Sequence, residues 1–192
     1  MIAIAERVFA LLALVAAAVA IGTSAALIGR RVPGWLRDDV ALPLATAVAV
    51  VATGGSLLLS EVAGYVPCVL CWYQRIAMYP LVVVLGVATV RDDRQVWRTV
   101  VPLSGIGGII ATWHVAIERF PTLGSDLCDP AAPCALRWVE EFGFLTIPTM
   151  ALIAFAAIAT LSLAARPAAD GPAHDPDSPT HDPVITAPRN TS

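Results

Sequence analysis

Hydrophobic and polar positions alternate along this chain on the scale of a bilayer rather than of a single helical turn. Five apolar stretches, at 8–29, 40–60, 71–90, 96–117 and 142–164, each reach the roughly 20 residues that cross a hydrocarbon core. The pattern predicts an all-α integral membrane protein with five transmembrane helices. The first stretch follows Glu6-Arg7 and is crowded with alanine, features it shares with a secretory signal, but it is long for one. Small residues, Thr53-Gly54-Gly55-Ser56 in the second helix and Ser104-Gly105-Ile106-Gly107-Gly108 in the fourth, predict close helix packing. Pro80, Pro102 and Pro148 lie inside or near helix ends and are expected to kink them.

The polar segments set the expected orientation. Arg30, Arg31 and Arg37 fall in one short loop and Arg91, Arg94 and Arg98 in another, and cationic loops stay in the cytoplasm. With the first helix retained, the loops at 61–70 and 118–141 then face outward, and the C-terminus lies inside. Cleaving the first helix would invert the rest against the Arg bias. In the second outer loop, Leu136, Val139 and Phe142 recur every third residue beside Trp138, which predicts a short interfacial helix. The segment 167–192 is rich in Pro, Asp, Ala and Thr and is expected to be a disordered cytoplasmic tail. Its two His-Asp-Pro triplets, at His174 and His181, are too sparse for a metal site.

Composition narrows the function classes. Of 192 residues, 57% are hydrophobic and 14% charged, with net charge −3, so the five helices leave almost no soluble domain. No basic cluster tracks a phosphate backbone, which argues against a nucleic-acid partner.

The chemistry concentrates in four cysteines. Cys68 and Cys71 stand two residues apart where the third apolar stretch begins, the spacing at which a dithiol opens and closes at a helix start. On a helix beginning near Cys68, the positions Cys68, Cys71, Arg75 and Tyr79 share a face, and the positive helix terminus favours a thiolate. Cys128 and Cys134 lie in the second outer loop with five residues between them. Closing so short a loop stabilises by at most about 2 kcal/mol in the chain-entropy account, a modest return for a structural staple. Redox exchange, structural disulfides and a zinc site are the readings open to these four thiols. Zinc is disfavoured by the wide, proline-containing second pair and by the oxidising side of the membrane. Arg75 sits about one turn inside an apolar segment on the outer side, where the charge rule predicts no cation. It either snorkels to the surface or holds an anion or polar ligand. His114, near the outer end of the fourth helix, either bonds a neighbouring helix or donates to a bound cofactor.

The run Pro67-Cys68-Val69-Leu70-Cys71-Trp72-Tyr73-Gln74-Arg75-Ile76-Ala77-Met78-Tyr79-Pro80, with Trp113-His114, Cys128, Cys134 and Phe142-Gly143-Phe144-Leu145-Thr146-Ile147-Pro148, resembles the DsbB family of disulfide bond formation proteins, in its Gram-positive type branch. The resemblance covers about residues 40–164. It implies a four-helix bundle over 40–166, with 1–39 as an additional transmembrane helix and cytoplasmic loop. It further implies a quinone-dependent thiol-disulfide oxidoreductase of the bacterial cell membrane, a monomer drawing on the membrane's quinone pool. A reduced DsbA-like thioredoxin-fold protein would attack the Cys128–Cys134 disulfide at Cys128. Cys134 would then attack Cys68, and the Cys68–Cys71 pair would be regenerated by ubiquinone or menaquinone near Cys71, Arg75 and His114. A vitamin K epoxide reductase type of protein places its loop pair before the CxxC, the reverse of the order here. A membrane scaffold with stapled loops leaves Arg75 unexplained.

Overall fold

The computed structural model describes residues 2–124, 128 and 132–167. The expected tail beyond Pro167 and much of the loop between Gly124 and Cys134 lie outside the described residues. Among the described residues, five helices are long and apolar enough to cross a membrane: α1 (Ile2–Ile28), α2 (Leu36–Val62), α3 (Val69–Arg91), α4 (Arg94–Arg119) and α5 (Ile147–Ala164). The first starts six residues before the apolar stretch that marks it, carrying Glu6 and Arg7 in its first turns. α2 runs past both ends of its apolar stretch through wide π-type turns at Leu36–Val40 and Leu58–Val62. Pro80 and Pro102 lie within unbroken helices. Pro148 occupies the first turn of α5, where a missing N–H goes unused.

The core forms between α2, α3, α4 and α5. Ala41, Ala45 and Ala49 recur every four residues along α2 with no exposed surface, giving a stripe without bulk that lets Leu81 and Leu85 of α3 pack close. Gly107 on α4 has the same effect toward α5. A Cβ built there would lie 2.3 Å from the Phe155 ring, so the backbone of α4 rests directly on that buried side chain. α1 packs along α5, pinned by Thr23 Oγ1 donating to Thr160 Oγ1 at 3.0 Å.

Polar ties mark the two ends of the bundle. Arg94 pairs with Asp38 at 2.7 Å and donates to the Arg37 carbonyl at 3.1 Å, bringing the two Arg-rich loops to one end. The cysteines lie at the other.

The short helix expected around Leu136, Val139 and Phe142 is not present. That segment instead leads into a hairpin, β1 (Glu140–Glu141) and β2 (Leu145–Thr146), with Glu140 opposite Thr146 and Glu141 opposite Leu145. The reason is local: Phe142 and Gly143 both take positive φ, 54° and 74°, a left-handed turn that glycine adopts freely and a helix cannot contain. The three-residue spacing misleads because only Val139 is buried, while Leu136 and Phe142 are exposed. The hairpin also delays the start of α5 to Ile147.

Candidate functional site

Cys68 is the residue before the first turn of α3, with extended backbone (φ −70°, ψ 172°). Its carbonyl accepts the Trp72 amide at 3.1 Å, so the helix begins where the cysteine spacing predicts. One turn on, the Cys71 thiol lies 3.4 Å from Cys68 Sγ, within hydrogen-bond distance of it. Both cysteines of this pair are free, whereas Cys128 and Cys134 are joined in a disulfide with Cα atoms 5.8 Å apart.

His114 links the two pairs. Its Nδ1 accepts from Gln74 Nε2 at 3.0 Å, so the ring proton sits on Nε2. That N–H donates to the Cys134 carbonyl at 3.1 Å and lies 3.6 Å from Cys68 Sγ. Cys68, Cys134, Leu70 and Ile117 form one buried cluster, with Cys71 and Cys128 packed against it. The Cys68 thiol is held well below its ordinary pKa. The hydrogen bond with the Cys71 thiol contributes most, and the hydrogen bond with His114 adds to it, against the opposing effect of burial. Cys68 is therefore disposed to act as a thiolate, the form that attacks or leaves in disulfide exchange.

The loop that carries the disulfide is fastened by polar contacts rather than by a helix. Arg137 donates to the Glu118 carbonyl at 2.8 Å and pairs with Glu140 at 3.2 Å. Thr146 Oγ1 donates to the buried Glu118 carboxylate at 2.7 Å, tying the hairpin to the end of α4. Trp138 stacks on Tyr65, with ring centroids 5.1 Å apart and planes 18° apart, and Tyr65 lies three residues before Cys68.

Beside Cys71 a cavity of about 320 Å³ opens between α1, α2, α3 and α5, near the low end of the roughly 300–1,000 Å³ typical of small-molecule sites. Cys71, Gln74, Arg75, Ser56 and Ser60 stand on its wall with Tyr65 and Tyr79, and apolar side chains form the rest. Arg75 donates through Nε to Ser56 Oγ and through Nη2 to the Ser56 carbonyl, both at 3.0 Å, and lies over the Trp72 ring at 5.4 Å. α2 and an aromatic face thus hold the guanidinium against the cavity.

The structure brings together all four expected cysteines and His114, and sets Arg75 at the cavity wall. His114 lines a smaller space between the cysteine pairs together with Glu118, while Gln74, which orients it, lines the larger one. Gln74, Ser56, Glu118 and Tyr65 were given no role at the site from sequence. Gln74 did carry a usable signal, since a polar residue inside an apolar span marks a buried partner.

Comparison with known proteins decides the family. The profile of the family described as "Disulfide bond formation protein DsbB" matches residues 38–165. The chain belongs to the DsbB family. It is 46% identical over 109 residues to the "Disulfide bond formation protein C" of Bacillus subtilis, covering 56% of this chain and 79% of that protein. It is 40% identical over 127 residues to the "Probable disulfide formation protein C 1" of Bacillus cereus, covering 66% and 91%, and 37% identical over 127 residues to the "Probable disulfide formation protein" of Metapseudomonas resinovorans, covering 65% and 88%. No solved structure matches. A role in disulfide bond formation and a multi-pass membrane location follow from the DsbB match and the five helices.

Proposed function

We propose that this DsbB-family chain is a membrane thiol:quinone oxidoreductase, reoxidising an extracytoplasmic thioredoxin-fold dithiol oxidase and passing the electrons to quinone. The observation that supports it most is the placement of both cysteine pairs about His114, with an apolar cavity adjoining Cys71. The Arg-rich end of the bundle faces the cytoplasm on this reading, and the cysteine end faces outward.

A donor thiolate attacks Cys128 Sγ, forming a mixed disulfide and releasing Cys134 as a thiolate. Cys134 attacks Cys68 Sγ of the Cys68–Cys71 disulfide, so that bond breaks and Cys71 leaves as a thiolate. The donor's second thiolate displaces Cys128 and departs with its own disulfide. Cys128 then attacks Cys134, restoring the loop disulfide and freeing Cys68. Two electrons now reside in the Cys68–Cys71 dithiol, and the donor has been oxidised. In that state the loop pair is bonded and the helix pair is reduced. His114 steadies Cys68 as the leaving thiolate and holds the Cys134 segment beside it.

The cavity fits a quinone in chemistry, with donors at the Cys71 end and apolar walls beyond. Arg75 and Gln74 would hold the ring oxygens, with His114 behind Gln74. A bound quinone supplies a two-electron, two-proton acceptor for the dithiol. Replacing Cys71 and Cys128 tests the order of exchange, since it should trap a Cys68–Cys134 bridge. A peptide joining positions 68 and 134 in mass spectrometry supports the order, and its absence contradicts it.

A further inference from the structure

The family match begins at residue 38, so α1 lies outside it, yet α1 makes one side of the cavity beside Cys71. Phe9, Leu12, Ala16 and Val19 line it, and they follow helical spacing that keeps one stripe toward α2. Phe9 crosses to α2, where a Cβ built on Gly55 would lie 3.0 Å from its ring, so the ring rests closely on the α2 backbone. At its outer end α1 is fastened by a second contact, Tyr65 Oη donating to the Glu6 carboxylate. Tyr65 also carries the Trp138 stack, so one residue joins α1, the segment leading into Cys68 and the segment following Cys134. The polar groups of the cavity are on α2, α3 and the segment that joins them, whereas the α1 contribution is apolar. An occupant with a polar ring at Cys71 and a hydrocarbon chain would therefore lay that chain against α1.

We infer that α1 is part of the oxidant site, forming the wall against which the hydrocarbon tail of a quinone packs and setting the site's preference for tailed over tail-less quinones. The inference rests on the quinone reading above and names the part of the substrate that α1 would contact.

The test uses the full chain in nanodiscs with a reduced thioredoxin-fold donor and two acceptors, menadione, which has no tail, and a menaquinone with a four-unit isoprenoid tail. Ala16→Phe fills the space beside α2, and Ile21→Phe, at a position 71% exposed and outside the cavity lining, controls for added bulk on α1. For Ala16→Phe the KM for the tailed quinone should rise about tenfold or more, the size that overfilling an apolar site commonly costs, and should rise several-fold more than the KM for menadione. A quinone with a photoactivatable azide on its tail should label the α1 peptide of the wild type and lose that label in Ala16→Phe. Equal loss with both acceptors, no change with either, or labelling confined to α2, α3 and α5 overturns the inference while leaving the quinone reading intact. A wild-type protein that reduces neither quinone overturns both.

Discussion

His114 Nε2 lies 3.6 Å from Cys68 Sγ, although 46 residues separate the two in the chain. One imidazole N–H thus faces the sulfur of the helix pair and the carbonyl of Cys134 at the same time. Hydrogen bonds to charged groups contribute about 1.5–3 kcal/mol, so losing the one to the Cys68 thiolate should slow exchange between the pairs about 10- to 100-fold. His114→Ala should show this fall in donor-dependent turnover while the loop disulfide still forms. Unchanged turnover would reduce His114 to a packing residue.

The depressed pKa of Cys68 gives a pH dependence with a definite sign. A lowered thiol pKa keeps the thiolate present as pH falls, so alkylation of Cys68 in the reduced protein should be nearly flat from about pH 8 to pH 6. An ordinary thiol, with pKa near 8.5, loses its reactive form about tenfold per unit below that value. Mass-spectrometric alkylation rates distinguish the two profiles. His114→Ala should move the midpoint upward, because His114 lowers the Cys68 pKa.

Much of this arrangement was legible in the sequence because the signals were local. The CxxC at a helix start, Arg75 in an apolar span and the five membrane-length stretches each follow from near neighbours in the chain. The interfacial helix failed for the same reason in reverse. Leu136, Val139 and Phe142 carry a helical spacing, but Phe142-Gly143 turns the chain left-handed, and Thr146 is drawn to Glu118, a contact 28 residues away in the chain that no window reveals. The pairing of Arg75 with Ser56 was invisible for a similar reason, since it depends on which helices become neighbours.

Arg75 bonds Ser56 twice and stands at the cavity wall, so it serves both α2 packing and the proposed quinone. Arg75→Ala should raise the quinone KM about tenfold, within the roughly 1.5–3 kcal/mol of a charged hydrogen bond, with Arg75→Lys between because it lacks the planar fork. Disulfides should still form with a chemical oxidant. A KM unchanged by Arg75→Ala would confine the residue to its α2 contact.

The packing of α4 on α5 makes a prediction independent of function. Gly107→Ala would place its Cβ 2.3 Å from the Phe155 ring, a clash that should cost about 1–3 kcal/mol. At Gly108 the nearest atom would be 3.9 Å away, so Gly108→Ala should be near neutral. Thermal unfolding in detergent compares the two, and Phe155→Leu should recover part of the loss in Gly107→Ala. Equal melting temperatures for the two alanine variants would refute the close approach.

The central claim is that electrons pass from the Cys128–Cys134 pair to the Cys68–Cys71 pair and on to quinone. The most direct measurement is quinone absorbance with the purified full chain, a reduced thioredoxin-fold dithiol and each cysteine replaced singly by serine. Wild type should reduce quinone in step with donor oxidation, and all four replacements should abolish donor-dependent reduction. A wild-type protein that leaves quinone unreduced, or a Cys71→Ser variant that reduces it at the wild-type rate, would contradict the account.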